Sequence, residues 1–207
     1  MKRKLVCFCE HAFETEIPDA VDLGADPALE EAILEGEFMT VRCPGCGKLL
    51  KPEYPVRVHD PASELDYFLV PELERNGFLR GSVSYDLKGP ERVVIGYDEL
   101  AEKIRIRRAG FDDRVVELVK YYLLNKVLEG YEEDREVRIF FSRQEGESLV
   151  FHAVGLKEDE VGVLRVPVEL TGKVAGQLEE RGRQEPYATI LKGPYVSVNA
   201  LFGEEGD

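Results

Sequence analysis

Four cysteines in two close pairs constrain the fold of this chain more than any other feature. One residue separates Cys7 from Cys9, and a Pro-Gly dipeptide separates Cys43 from Cys46. Two such pairs supply four thiolates, and Zn²⁺ prefers a tetrahedral shell of sulfur or imidazole ligands. The sequence therefore predicts a small zinc-ribbon-like unit over residues 1–60, in which Cys7, Cys9, Cys43 and Cys46 bind Zn²⁺.

The two pairs differ in how well they suit a metal-binding turn. Gly47 follows the second pair and accepts a positive φ without strain. In a regular strand, side chains two residues apart lie about 6.5–7 Å from each other, whereas two sulfurs on one zinc lie about 3.8 Å apart. The backbone must therefore turn or bulge between Cys7 and Cys9. Glu10 follows this pair, as Gly47 follows the other, but it is a poor residue for a left-handed conformation. His11 is the substitute ligand, in a shell of three cysteines and one histidine, and its alternative is a surface position on a hairpin.

The cysteines have possible uses other than zinc binding. In a reducing cytosol, paired cysteines are more often metal ligands or redox centres than structural disulfides. A redox pair normally lies at a helix N-terminus, where the dipole lowers the thiol pKa, and the residues 47–52 that follow Cys46 start a long helix poorly. A zinc with four protein ligands is structural, because a catalytic zinc keeps one position open for water.

The net charge of −14 argues against nucleic acid as a partner. The three successive thirds of the chain, 1–60, 61–125 and 126–207, carry −5, −2 and −7. Non-specific nucleic-acid binding needs clustered Lys and Arg to neutralise phosphates. One basic cluster is present: Lys103, Arg105, Arg107 and Arg108. We interpret it as a solvated helix end near the C-terminal dipole rather than as a phosphate site.

The chain carries no signal for a membrane or for secretion. No run approaches the roughly 18 apolar residues of a membrane helix. The basic and briefly apolar start, residues 1–6, meets Glu10 before the core of a signal peptide could form. We therefore expect a cytoplasmic protein.

The remaining pattern is typical of an α+β protein. Residues 4–8 and 11–17 alternate in polarity and predict a hairpin around the first cysteine pair. Asp26 suits the N-cap of a helix that begins at Pro27 and ends at Gly36. Further strands are predicted at 38–42, 49–58, 65–70, 78–85, 92–97, 137–142, 148–154, 162–166, 187–191 and 195–201. Pro52 and Pro55 interrupt the 49–58 stretch and favour edge strands or extended linkers there. Further helices are predicted at 98–107, 112–129 and 167–181.

These motifs resemble those of the CpXC family, which is named for two Cys-Pro-x-Cys motifs and has no characterised function. The resemblance is carried by residues 9–14, 26–36, 43–47, 54–55, 59–61 and 68–71, and more loosely by 102–106 and 110–114. It covers roughly residues 5–125. The chain departs from the family pattern at the first motif, where Val6 occupies the position of the first cysteine, Cys7 comes one position late and proline is missing.

The predicted architecture is α+β, with a small zinc-ribbon-like N-terminal unit joined to a mixed β-sheet with two or three helices. Residues 1–60 form that unit within a CpXC-like domain that extends to about 130. Residues 131–207 form a C-terminal α+β portion, either separate or packed on the same core. The acidic turn 132–134 is the predicted boundary between the two.

A non-enzymatic protein-interaction module fits these observations best. The structural zinc would hold a rigid cluster of loops, and the acidic surface would offer a site for a protein. One alternative is an enzyme of unknown class with a pocket around His59 and Asp60, and a weaker one is a nucleic-acid-associated zinc ribbon. A His59 that faces a deep cleft would favour the enzyme, and a solvent-facing His59 would favour the module.

Overall fold

The structure, a computed structural model, describes residues 1–62, 66–89, 91–130 and 136–203. Helices and strands are mixed along the chain, as the sequence predicted. The chain divides into two compact units. Unit 1 consists of Met1–Phe78 and Ser84–Ala101, and unit 2 consists of Leu79–Val83 and Glu102–Asp207.

Unit 1 contains two small hairpins and one larger sheet. Its strands are β1 (Lys2–Val6), β2 (Ala12–Glu16), β3 (Ala20–Asp22), β4 (Val41–Arg42), β5 (Leu49–Leu50), β6 (Val56–His59), β7 (Tyr67–Val70) and β8 (Arg92–Ile95). Strands β1 and β2 form one antiparallel hairpin, and β4 and β5 form another. The mixed four-stranded sheet has the order β3-β6-β7-β8, with β6 and β7 antiparallel and the outer pairs parallel. Strands β7 and β8 supply most of the buried side chains of this sheet.

Local sequence explains where the elements of unit 1 begin and end. Helix α1 (Ala28–Leu34) follows Asp26, whose carboxylate accepts a hydrogen bond from the Ala28 N–H at 3.1 Å. Gly36 follows the helix with a φ of 76°, which confirms the predicted end. The helix begins at Ala28 with Pro27 at the N-cap, one residue later than predicted. Pro52 and Pro55 lie between β5 and β6, where they interrupt the predicted 49–58 strand.

Unit 2 packs helices on one antiparallel sheet. Its strands are β9 (Arg138–Glu145), β10 (Ser148–Lys157) and β11 (Glu160–Pro167), in the order β11-β10-β9. Among the described residues, the other α-helices are α2 (Arg75–Leu79), α3 (Gly96–Arg108), α4 (Asp113–Leu128), α5 (Glu169–Arg181) and α6 (Tyr187–Ile190). The core of unit 2 joins the apolar face of α4 to the inward residues of β9 and β10, among them Phe141 and Phe151. Asp112 caps α4 by accepting a hydrogen bond from the Arg114 N–H at 2.9 Å, so the helix begins within one residue of its predicted start at 112.

A buried ion network lies inside unit 2 and consists of Glu102, Lys103, Glu117 and Lys120, each at most 3% exposed. The Lys120 Nζ donates to Glu102 at 2.8 Å, and the Lys103 Nζ donates to Glu117 at 2.7 Å. The charges balance within the four residues, and a second contact, Lys120 to Glu117 at 3.1 Å, joins the two pairs. Such a network tolerates burial only because each charge has a partner.

The same network also satisfies backbone groups from distant parts of the chain. Glu102 accepts a hydrogen bond from the Phe141 N–H at 2.6 Å, and Glu117 accepts one from the Val198 N–H at 2.9 Å. Lys103 donates to the Val196 carbonyl at 2.9 Å. The network therefore links α3 and α4 to β9 and to the segment around residue 197. Its Lys103 is buried, which corrects the prediction that the basic cluster is a solvated helix end.

Three predicted strands are wrong. Residues 78–85 end α2 and then form a turn at Gly81, whose φ is 73°. The Tyr85 ring packs 5.0 Å from that of Phe68, so the apolar pattern of this stretch serves packing rather than strand pairing. The stretch 187–191 forms helix α6, because Pro186 stands at its N-cap and Tyr187 and Ile190 share one buried face.

The third wrong strand is 195–201. Val198–Gly203 is a 3₁₀ helix. The Ser197 N–H donates to the Ile190 carbonyl at 3.0 Å, and the Val198 N–H donates to Glu117. Because these backbone donors are used by a helix end and by a side chain, they cannot join a sheet ladder.

The predicted boundary at 132–134 lies outside the described residues, and the predicted partition near residue 130 stays a prediction. The division into compact units falls earlier, between Ala101 and Glu102 within α3. Over the described ranges, none of the helices is both long enough and apolar enough to span a bilayer.

Candidate metal centre

The two small hairpins of unit 1 each carry one cysteine pair in the turn that joins their strands. Cys7 and Cys9 lie between β1 and β2, and Cys43 and Cys46 lie between β4 and β5. A tight turn directs nearby side chains toward one point, so this topology explains why pairs 34 residues apart (Cys9 to Cys43) can meet. Their meeting is what a zinc-ribbon-like unit requires.

The first turn is short and ends in a left-handed residue. The Glu10 N–H donates to the Cys7 carbonyl at 2.8 Å, and the Cys7 N–H donates to the His11 carbonyl at 3.0 Å. Glu10 has a φ of 67°, which is the left-handed conformation that a glutamate disfavours. The backbone therefore does turn at the first cysteine pair, with three residues between Cys7 and His11.

The second turn is one residue longer and has the same ending. The Gly47 N–H donates to the Cys43 carbonyl at 2.9 Å, and the Cys43 N–H donates to the Lys48 carbonyl at 2.9 Å. Gly47 has the predicted positive φ, 74°. The Arg42 guanidinium donates a hydrogen bond to the Gly47 carbonyl at 2.8 Å and so stabilises the turn. This role of Arg42 was not predicted, although the residue lies directly before Cys43 in the sequence.

The four sulfurs form one compact group. All four Sγ atoms lie within 4.8 Å of one another. The Sγ of Cys7 lies 3.6 Å from that of Cys46, and the Sγ of Cys9 lies 3.8 Å from that of Cys43. These separations match the roughly 3.8 Å between sulfurs in a tetrahedral shell with Zn–S bonds of about 2.3 Å. All four cysteines have free thiols.

The burial of the sulfurs is asymmetric. Cys7 and Cys43 are 2% and 0% exposed, and Cys9 and Cys46 are exposed. Each turn therefore contributes one inner and one outer thiol. Burial opposes ionisation of Cys43, but hydrogen bonds from the backbone N–H groups of Cys46 and Gly45, and from neighbouring thiols, lower its pKa to about 7. A thiol that ionises near neutral pH is prepared for metal binding, because the thiolate is the ligand.

His11 lies next to this group but outside it. The group of side chains close enough to hold one ion, among the described residues, contains the four cysteines alone. The His11 ring stacks on Phe13 at 6.2 Å and lies against Gly45, where an added Cβ would come within 2.9 Å of the ring. Gly45 is therefore needed for the contact between the two turns. Ligation by the four cysteines, with His11 as a substitute, stays a prediction.

The donor set fits a thiophilic metal. Four thiolates suit Zn²⁺ or an iron–sulfur centre, whereas Mg²⁺ and Ca²⁺ require oxygen ligands. The four positions are all supplied by protein, which leaves none for water or substrate. The structure shows four cysteines positioned to hold a metal ion.

The other predicted site residues do not form a comparable group. The His59 side chain is 53% exposed, and its Nδ1 lies 2.7 Å from Asp66, which raises the pKa of the imidazole through a hydrogen bond and charge attraction. Asp60 is buried and accepts a hydrogen bond from the Ala62 N–H at 3.0 Å, so it closes the turn through Pro61. The His59 side chain therefore faces solvent.

Comparisons with known proteins agree with the resemblance to the CpXC family. A family model described as "CpXC protein" matches residues 5–120. A protein of Treponema pallidum (strain Nichols), described as "Uncharacterized protein", is 29% identical over 220 residues, which cover 96% of this chain and 98% of the relative. No solved structure matches the chain. The matched residues include both cysteine pairs and end within α4.

Proposed function

The chain belongs to the CpXC family, and we propose that its four cysteines hold one structural Zn²⁺ in a non-enzymatic protein-interaction module. The observation that carries this proposal is the approach of four sulfurs to within 4.8 Å of one another. Because four thiolates saturate the ion, its contribution is cohesion between the β1–β2 and β4–β5 hairpins rather than catalysis.

The hairpins have little else to stabilise them. Strands β4 and β5 contain two residues each, and β1 and β2 contain five each. Among the residues of these four strands, Leu5 in β1 is the one buried apolar residue. Isolated two-stranded hairpins are at best marginally stable in water. Structural zinc binding supplies about 10–16 kcal/mol in small zinc domains. The metal therefore provides the cohesion that the local apolar contacts of these hairpins lack.

The metal-binding turns also expose apolar side chains. Phe8, between the two cysteines of the first turn, is 91% exposed, and Val6 just before it is 67% exposed. Leu49, just after the second turn, is 60% exposed. A rigid turn that presents an exposed aromatic residue suits binding to another protein, since aromatic residues are frequent anchors of interfaces. This supports a protein as the partner.

The metal proposal is tested on protein purified without added zinc. We expect elemental analysis to give about one equivalent of zinc per chain, because a four-thiolate site retains the ion through purification. Iron with visible charge-transfer absorption would assign the site to an iron–sulfur centre instead. A well-folded protein that contains no metal would contradict the proposal.

The interaction proposal is tested by comparing Phe8→Ala with Leu73→Ala, a matched control. Leu73 is 96% exposed in unit 1 and lies away from the cysteines in sequence. Both variants should retain zinc. We expect Phe8→Ala to weaken partner binding by more than tenfold, as loss of an aromatic anchor does, and Leu73→Ala to leave it unchanged. The readout is quantitative cross-linking mass spectrometry in cell extract. Equal losses in both variants, or captured nucleic acid, would contradict it.

A further inference from the structure

The asymmetric burial of the four thiols has a chemical consequence. Cys9 and Cys46 are open to solvent, whereas Cys7 and Cys43 are closed off beneath them. Oxidants reach thiolates that are exposed, and a metal-bound cysteine is already a thiolate. The two outer sulfurs are therefore the points at which a small oxidant can attack this centre.

Each outer sulfur touches an inner sulfur of the opposite turn. Cys46 contacts Cys7 at 3.6 Å, and Cys9 contacts Cys43 at 3.8 Å. A disulfide needs a sulfur separation of about 2.05 Å, so each contact requires a further approach of less than about 2 Å. The two contacts also use all four sulfurs once. The pairing within turns uses neither contact, and it would join Cys7 to Cys9 across a single residue.

We propose that this cluster is an oxidation site for peroxides, which convert it into two disulfides between the turns, Cys7 with Cys46 and Cys9 with Cys43. The proposal rests on the zinc-binding function above. It adds a chemical reaction to a centre that is otherwise structural.

The reaction balances in two steps for each pair. The outer thiolate attacks the peroxide, the O–O bond breaks, and the products are a sulfenic acid and hydroxide. The inner thiolate then attacks the sulfenic sulfur, forms the S–S bond and expels a second hydroxide. Two thiolates are oxidised by two electrons and one peroxide is reduced. Two peroxides therefore oxidise the whole cluster, and sulfurs engaged in disulfides no longer hold the ion.

The cross-turn pairing has a structural result that pairing within turns would lack. The disulfides join β1–β2 to β4–β5, which are the hairpins that the metal joins. The oxidised unit keeps this connection after the metal is lost, and a thiol reductant can restore the original cluster. Pairing within turns would leave the hairpins unlinked.

The pairing is tested by peroxide titration of the zinc-loaded full chain. We expect about two equivalents of hydrogen peroxide to release about one equivalent of zinc, detected with a colorimetric chelator. The disulfides are mapped after non-reducing digestion with trypsin and chymotrypsin. Cleavage after Phe8 separates Cys7 from Cys9, so the expected product contains three linked peptides: residues 5–8, 9–13 and 43–48.

Fragmentation between Cys43 and Cys46 then assigns which sulfur holds which peptide. Peptide 43–48 with an internal disulfide, separate from linked 5–8 and 9–13, would overturn the proposal, as would zinc retained through ten equivalents of peroxide. Zinc content is measured before peroxide is added. Absence of zinc at that stage contradicts the proposed function, whereas a loaded protein that resists peroxide contradicts the oxidation proposal alone.

Discussion

A Cys43→Ser variant should contain less than about a tenth of the zinc of the wild-type protein and should lose the hairpins of unit 1. Cys43 is fully buried, and its sulfur contacts that of Cys9 at 3.8 Å. Structural zinc contributes about 10–16 kcal/mol, which is as large as the whole stability of a typical domain. A serine there also buries a hydroxyl that the metal does not satisfy.

The loss is measured by elemental analysis together with amide hydrogen exchange. Protection of β1, β2, β4 and β5 should fall to near that of an unfolded peptide. Phe8→Ser is the matched control, because it changes an exposed residue between two cysteines and leaves all four thiols in place. A Cys43→Ser protein with normal zinc and normal protection would show that Cys43 is not a ligand.

The second large effect is expected in unit 2, where Lys120→Met should lower the free energy of unfolding by about 3–5 kcal/mol. Lys120 is fully buried and lies 2.8 Å from Glu102 and 3.1 Å from Glu117. Without its ammonium group, the network holds more negative than positive charge in a region closed to water. Removal of one partner is costly for this reason, even where the intact network contributes little.

Denaturant unfolding followed by circular dichroism measures the change. Lys126→Met is the matched control, because Lys126 is an exposed residue on the same helix. We expect the control to change stability by less than about 0.5 kcal/mol. The double variant Lys120→Met with Glu102→Gln should recover part of the loss, since it removes one uncompensated charge. Equal stability of Lys120→Met and Lys126→Met would show that the network is not buried in solution.

The pH dependence of the same proteins gives an independent check. Burial opposes ionisation of Glu117, but the charges of Lys103 and Lys120 lower its pKa to about 2. The stabilisation that Glu117 adds to the free energy of unfolding is therefore present above about pH 4.5 and is lost as the pH falls through 2. Burial raises the pKa of Glu102 to about 7, so its contribution is present below about pH 4.5 and declines as the pH rises through 7. In denaturant unfolding measured across this pH range, a single Glu102→Gln variant should lack only the decline in stability between about pH 4.5 and 7.

Much of the candidate site was predictable from sequence because its chemistry lies in a few residue types. The pairing of Cys43 with Cys46 and the positive φ of Gly47 followed from turn geometry. The conformation at Cys7–Cys9 did not follow in the same way. Glu10 adopts a left-handed φ of 67°, against its own preference, because two backbone hydrogen bonds and the hairpin pairing close the turn around it.

The errors in the fold have a common physical origin. The stretches 187–191 and 195–201 have the apolar, β-branched and aromatic composition of strands. Their backbone donors, however, are used by α6 and by the Glu117 carboxylate. A hydrogen bond from Val198 to a side chain 81 residues earlier leaves no trace in local periodicity. Tertiary contacts of this kind override local propensity, and sequence patterns do not report them.

The partners of the buried ion network extend beyond the residues that the family model matches. The family match stops at residue 120, which is Lys120 itself, in the middle of α4. A fragment cut there would retain all four charges and lose the Phe141 N–H, the Val196 carbonyl and the Val198 N–H that satisfy them. The stretch that the family model matches is therefore shorter than the stretch that supplies the partners of this network.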